Sequence, residues 1–439
     1  MTIIVLFVLN ISIIGVSFFL LKSIFKTPYN PIFILILLWF VNLSLAELNP
    51  NGYYDLSFNS LKIFYFSIFF LLMGSLSYYI MKKKNMSAQV MVSCQKNKIS
   101  KVSPFIYFIV FILITVSFLF IVFAMKLMLT YGLSMQSLRN VMFFSNVVED
   151  NPLFSRLIPF MWTVKGLSYF VFFYGLYRFY MGIQDKTILV LSSVPLILLT
   201  VGMGGRKGFV DLIYILISFL LILLVQKKKI SNNILLKAKK MFKFVILFLF
   251  PAIVIMTFMR TGNSDIFSSL YNVYIAYYTG PFFAFDQMLC TGTVNEIVLP
   301  HLGASLMGFD TIIVSALLRF ILGFDFLSIL SQTSYVMHHG VEIGVDKMFN
   351  AHYTYLFTSY LDGGVLGIYI FSYVIGFLSL LIFNSFKNNE SFLNFSLLLI
   401  FYLFALNAGK LSIFESVDFM MALVAVIFYQ IIYLKKGKI

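Results

Sequence analysis

Apolar runs of about 18 residues or more recur from one end of this chain to the other, and a run of that length matches the hydrocarbon thickness of a lipid bilayer. They are far too long for barrel strands, and in lipid each must satisfy its own backbone hydrogen bonds. The fold class is therefore all-α, a polytopic transmembrane helical bundle. Of 439 residues, 61% are hydrophobic and 11% charged, with a mean hydropathy of +0.95, so a water-soluble core is excluded. Spans are expected at 3–21, 31–48, 62–81, 105–129, 158–180, 187–202, 208–225, 242–259, 356–384, 392–408 and 416–434. That makes eleven, with 311–330 as a possible twelfth. The N-terminal run has no preceding basic residue and no small-residue cleavage site, so it reads as a retained span rather than a signal peptide. With no internal repeat or soluble domain, residues 1–439 read as a single integral membrane domain.

Orientation follows from lysine clusters. Lys82 to Lys84 close the third span, Lys227 to Lys229 the seventh, and Lys435, Lys436 and Lys438 the last. By parity all three share one side, which the positive-inside rule makes the cytoplasm. The formal charge of +15 then reflects topology, and no nucleic-acid partner is expected. Two outer loops stand out, 130–157 and a large one at 260–355. If 311–330 crossed, His338, His339 and His352 would become cytoplasmic and the C-terminal lysines would face outward, so that segment reads as an amphipathic or re-entrant helix. Cys94 and Cys290 fall on opposite sides, and no disulfide is expected.

The charges also sort by type. Basic residues on the cytoplasmic side are lysines, apart from Arg178, whereas Arg139, Arg156, Arg206, Arg260 and Arg319 fall on the outer side with all four histidines. Topology is indifferent to which residue carries the charge, but chemistry is not. Guanidinium offers a planar fork of donors suited to phosphate and carboxylate. The segregation points to an anion held on the outer face.

Several stretches carry candidate chemistry. In VGMGGRKGFVD (201–211) four glycines and a basic pair form a tight outer hairpin, where Arg206 beside a helix start is a candidate phosphate clamp. A plain turn facing headgroups is the equal alternative. Arg260 closes the eighth span, and Arg319 sits among apolar residues, where an unpaired guanidinium costs about 2.5–3.5 kcal/mol; snorkelling is the bland reading of both. For Arg139 and Arg156, in an outer loop of amphipathic spacing, the bland reading prevails. In YYTGPFFAFDQ (277–287) the Gly-Pro is expected to break a helix, and Tyr277 and Tyr278 either anchor at headgroups or stack on sugars. In MFNAHYTYLFTSYLDGGVLG (348–367) polar groups including Asn350, His352, Tyr353 and Thr354 precede Asp362, which is paired, functional, or simply a helix-start acid. His352 is a candidate general base. Metal-ligand spacing is absent, as are acyl-transfer and P-loop motifs, so no bound metal and no cofactor are expected.

The ordered set of Leu138-Arg139, GGRKG at 204–208, YYTGPFFAFD at 277–286 and FNAHYTYLFTSYLDGGVLG at 349–367 resembles the Wzy-type O-antigen polymerases, the bacterial oligosaccharide repeat-unit polymerases. The likeness runs from about residue 100 onward. Family members often carry twelve spans with both termini inside, against eleven counted here. The resemblance implies a metal-independent glycosyltransferase of the bacterial inner (cytoplasmic) membrane, acting on its periplasmic side. Donor and acceptor would be undecaprenyl-pyrophosphate-linked oligosaccharides, with a chain-length regulator protein and a flippase of the same pathway as partners. Roles then follow as expectations. Arg206 and Arg260 would hold the donor pyrophosphate, and Arg319 or Arg139 the second lipid phosphate. His352 would be the base. Tyr277 and Tyr278 would lie against sugar, while Arg156, Asn350, Tyr353 and Asp362 would line the substrate site. The nearest rival enzyme is an O-antigen ligase. The rival from another class is a flippase or transporter of lipid-linked oligosaccharide, for which charged residues along the bundle interior and two similar halves are expected. Neither is evident in the sequence, whose polar residues concentrate in outer loops.

Overall fold

The computed structural model describes residues 3–49, 51–85, 103–132, 137, 152–183, 186–203, 205–226, 232–261, 266–299, 301–314, 318, 329–330, 333, 340–349 and 353–436; at 3, 84–85, 152–159, 186, 258–261, 266–270, 272–274 and 433–436 this extends to the backbone alone. Among these the chain is almost wholly helical. The helices are α1 (Ile3–Phe25), α2 (Pro31–Leu48), α3 (Phe58–Asn85), α4 (Pro104–Tyr131), α5 (Pro152–Tyr180), α6 (Lys186–Gly202), α7 (Lys207–Val225), α8 (Asn232–Thr261), α9 (Ile266–Thr291), the five-residue α10 (Met307–Thr311), α11 (Leu356–Asn388), α12 (Phe392–Asn407) and α13 (Val417–Lys436). One short antiparallel hairpin, β1 (Val341–Gly344) and β2 (Lys347–Phe349), is the exception. Seven of the described helices are long and apolar enough to cross a membrane: α1, α2, α3, α4, α7, α8 and α11. Each of the eleven spans expected from the sequence falls on a helix. The fold class is all-α, as expected.

Helix boundaries follow local chemistry. Asn30 caps α2 by accepting the Phe33 N–H at 2.8 Å, with Pro31 in the first turn, where its missing donor is harmless. Ser103 and Pro104 open α4 in the same way, and Gly132 closes it in the left-handed conformation. Ser391 caps α12. These polar caps sit at the ends of otherwise apolar sequence because only there do free N–H groups need partners.

By internal packing the chain groups into two compact units, one of residues 1–95 and 271–416, the other of residues 96–270 and 417–439. In the first, α3 lies against α11 with backbones in contact. A methyl group on Gly74 would meet the Tyr373 carbonyl at 1.9 Å, and one on Gly376 would meet the Leu71 carbonyl at 1.9 Å. The Ser75 hydroxyl donates to the Gly376 carbonyl at 3.0 Å. Small residues allow this approach, which is how helices associate where lipid removes the hydrophobic driving force. The core of this unit is aromatic, with Trp39 in edge contact with Phe64, Phe282 and Tyr355 at 4.9–5.9 Å between ring centres.

Two sequence expectations are corrected here. Gly280-Pro281 does not break a helix, for α9 runs continuously through it. An internal proline disfavours a helix by about 3 kcal/mol, but Phe282, Phe283, Ala284 and Phe285 are all buried behind it, and Gly280 lies flush on the Phe349 ring. Burial of three phenylalanines outweighs the proline. Conversely, α11 is interrupted where an unbroken span was expected: Gly363 (φ −171°, ψ 31°) and Gly364 (φ 60°, ψ −146°) separate a first segment ending at Asp362 from the long one that follows. The Gly364 conformation is essentially closed to any residue with a side chain.

Candidate functional site

In the first unit, two segments that sequence places more than fifty residues apart meet. Residues 353–358 lead into α11, and residues 407–416 join α12 to α13. The Tyr355 N–H donates to the Ala408 carbonyl at 3.1 Å, and the Thr358 hydroxyl donates to Glu415 Oε1 at 3.1 Å. Glu415 is itself fixed by a capping box, accepting the Ser412 N–H at 3.2 Å. The turn at 407–411 is closed by Lys410 and Leu411 N–H groups on the Asn407 carbonyl, at 2.7 and 2.9 Å.

These segments gather polar groups away from solvent. Lys410 is only 8% exposed, and its ammonium stands 5.8 Å from the centre of the Tyr278 ring, presented by α9. Tyr353 and Thr354 are buried, and their hydroxyls find no hydrogen-bond partner among the described residues. Tyr353 packs on Phe357, 4.7 Å between ring centres. Burial pushes the phenols of Tyr278 and Tyr353 up to about 12, so both remain neutral donors at physiological pH. These segments thus hold a buried ammonium beside a tyrosine face and, separately, two buried hydroxyls without a described partner, groups of the kind that bind anions and sugar hydroxyls.

Asp362, expected to line the substrate site, is paired with backbone donors. Its Oδ1 accepts the N–H groups of Gly303 and Ala304 at 2.7 Å each, and its Oδ2 accepts that of Ser305 at 2.8 Å. The carboxylate thus caps the turn that opens α10. Ala304, Met307 and Ile329 form a small core there, with Leu361 packed against it. Asp310 ties the same region together, bonded to His301 on one oxygen and to the Ile329 N–H at 2.8 Å on the other.

The second unit holds the hairpin of the GGRKG stretch. Arg206 is the residue before α7, and its Nη1 donates to the Thr257 hydroxyl of α8 at 3.0 Å. Gly208 serves close packing, since a methyl there would meet the Thr200 hydroxyl at 1.9 Å. Arg260 is the penultimate residue of α8 and Arg156 lies in the second turn of α5. Arg139, Arg319, Asn350 and His352, together with His338 and His339, lie outside the described residues. Of the expected site residues, Tyr277, Tyr278, Tyr353 and Asp362 fall in the first unit, and Arg156, Arg206 and Arg260 in the second. Tyr278 borders Lys410, Tyr353 packs on Phe357, and Asp362 accepts three backbone N–H groups.

Sequence reasoning missed two groups. Lys410 is one. The other lies in the second unit, where Lys165, Asp211 and Asp418 are 8%, 4% and 6% exposed. Lys165 Nζ meets Asp418 Oδ2 at 2.6 Å, and the Tyr169 hydroxyl donates to Asp211 Oδ2 at 3.0 Å. Beside the polar residues expected to concentrate in the outer loops, three charged residues thus occupy the interior of the second unit. The signal was a lone charge inside an apolar stretch, as in MWTVKGLSYF and ESVDFMM.

Comparison with known proteins returns nothing similar: no family model matches the chain, no curated protein matches it, and no solved structure matches it.

Proposed function

We propose that this chain is a glycosyltransferase of the bacterial cytoplasmic membrane that polymerises undecaprenyl-pyrophosphate-linked oligosaccharide repeat units on the outer face. The reading takes the eleven helices at the expected spans as crossings, with the N-terminus outside. The observation that carries it is the burial of Lys410 against the Tyr278 ring and of the Tyr353 and Thr354 hydroxyls without a described partner, three of these four residues lying in the stretches whose sequence resembles the repeat-unit polymerases. On that orientation these residues lie where α11 and α13 leave the outer surface. Lys410 holds a donor phosphate as a point charge, the Tyr353 and Thr354 hydroxyls bind sugar or phosphate oxygens, and the Tyr278 face packs on a ring. Arg206 and Arg260 stabilise the pyrophosphate as it leaves, and His352 takes the proton from the attacking hydroxyl. The donor already carries the energy of the reaction.

A flippase or transporter of the same lipid-linked sugar is the second reading. What favours it is the buried Lys165, Asp211 and Asp418, since ionisable residues inside a bundle commonly mark a transport path. One experiment separates the two. The gene is deleted in its host, and the surface glycolipid is resolved on a gel stained for carbohydrate. Loss of the ladder, with one repeat unit still capped on the core, supports the polymerase. Loss of every repeat sinks it, and the side of the membrane on which the lipid-linked repeat then accumulates separates ligase from flippase. Arg206→Ala and Arg260→Ala are expected to abolish the ladder with membrane insertion intact; wild-type ladders from both would remove the pyrophosphate role.

A further inference from the structure

Three helices of the second unit bring one cation and two anions together in its interior. Lys165 comes from α5, Asp211 from α7 and Asp418 from α13. Lys165 is paired with Asp418 at 2.6 Å, its ammonium stands 5.6 Å from the centre of the Tyr169 ring, and Asp211 lies within electrostatic range of that ammonium. Tyr169 links the pair to Asp211 through its hydroxyl at 3.0 Å, and it stacks on Phe419, the residue after Asp418, at 4.5 Å and 15°. The approach of α13 depends on Gly166, where a methyl would meet Met421 Cβ at 2.6 Å and the Asp418 carbonyl at 2.9 Å.

With both carboxylates ionised the group carries one uncompensated negative charge, and an interior of low dielectric strongly disfavours that. A bound cation would have to sit beside the Lys165 ammonium, whereas a proton needs no such site. The two acids are not equivalent. Asp418 holds the ammonium and lies in the first turn of α13. Asp211 has only a neutral phenol as its described donor. A second observation points the same way: Asp418 Oδ1 is buried and finds no partner among the described residues, although the whole residue is 94% enclosed. It is a buried acceptor to which no described group donates.

We propose that the Lys165–Asp211–Asp418 triad is a proton-binding site, with Asp211 carrying one exchangeable proton. Release breaks an O–H bond on Asp211 and hands the proton to water, moving one proton and no electrons. The groups that bear on Asp211 are Lys165 and Tyr169 of α5 and Asp418 of α13. Within α7 the other ionisable groups are Lys207, at its start, and Tyr214, with Arg206 just before the helix. The ionisable residue of α6 is Lys186, at its far end. The lysines of α8, 237 to 243, lie at the end opposite the Thr257 that meets Arg206, and Arg260 lies at the near end.

The test is infrared difference spectroscopy on the full chain in lipid nanodiscs, titrated with pH. The wild type should show the carbonyl band of a protonated carboxylic acid, bleaching as pH rises. Asp211→Asn should lose that band and Asp418→Asn should keep it. Should Asp211→Asn fail to fold, Tyr169→Phe, which removes the hydroxyl on Asp211, should change the pH at which the band bleaches. A band unaffected by either variant, or no band at any pH, overturns the proposal and leaves a fixed ion pair. A band abolished by sodium or potassium ions at constant pH overturns it in favour of a metal-cation site.

Discussion

Asp362 and Asp418 are both acids at the ends of apolar helices, and the chain treats them in opposite ways. Asp362 accepts three N–H groups of the 303–305 turn. Asp418 has one oxygen on Lys165 and the other without a partner among the described residues. Backbone donors tie Asp362 to a loop, whereas a contacting ammonium neutralises Asp418 inside a bundle. The difference separates an acid that holds a turn from one that holds a counter-charge, and neither composition nor spacing reveals which is which.

Removing the ammonium should have the largest effect on that contrast. Lys165→Met leaves the Asp418 carboxylate buried without its counter-charge, a change that destabilises by about 3–5 kcal/mol. A clear fall in the thermal midpoint of the detergent-solubilised protein is expected. Combining it with Asp418→Leu should recover most of the loss. A single variant as stable as wild type would show that the triad is not held by charge.

Asp362→Ala tests the other member of the comparison. Three donors are released, each hydrogen bond to a charged group contributing about 1.5–3 kcal/mol and not additively. Because the 299–311 segment is a small satellite core, loss of order should be local. Faster amide exchange at Gly303, Ala304 and Ser305 is expected, with exchange in α3 unchanged. Asp362→Asn, keeping one acceptor, should fall between. Amide exchange like that of wild type in the alanine variant would mean the cap is dispensable. Next in size is the kink that aims Asp362. Gly364→Ala should cost about 1–3 kcal/mol, because φ of +60° with ψ of −146° strains any side chain. Gly363→Ala, at φ −171°, is extended backbone and should be tolerated. Equal midpoints for the two would remove the claim that the bend is set by Gly364.

How much of this was legible depends on the range of the interaction. Local signals were: Asn30-Pro31 and Ser103-Pro104 announce helix starts, and Gly363-Gly364 marks an irregularity beside an acid. The hairpin at 202–207 follows from its glycines, though Gly208 packs on Thr200 rather than admitting a ligand. The continuity of α9 was hidden, because the outcome at Pro281 is decided by Phe349 and the aromatic core, far away in sequence. The triad was hidden for the same reason. Lys165, Asp211 and Asp418 each look like a stray charge, and only helix packing makes them one group. Lys410 shares that fate, since its burial comes from α9 and the turn at 407.

The smallest effect belongs to the phenol of Tyr353, and it bears on the proposed site directly. Its hydroxyl is buried without a described partner, so Tyr353→Phe removes a desolvated polar group and should leave folding stability unchanged or raise it by about 1 kcal/mol. Yet if that hydroxyl binds the glycan, polymer length should fall although the protein is as stable as wild type. A variant with a normal ladder would assign the residue to packing alone. Titration provides the cross-check. The folded phenol is raised from 10.0 to about 12, which favours the neutral form. Its contribution to stability is therefore complete below pH 10 and lost as pH rises through about 12. In the wild type, phenolate absorbance should show a class of tyrosines titrating late, and the Phe variant should lack one of them. A Tyr353 that titrates at the ordinary phenol value would mean that the 353–358 segment opens to water, and the burial of its hydroxyls would be lost with it.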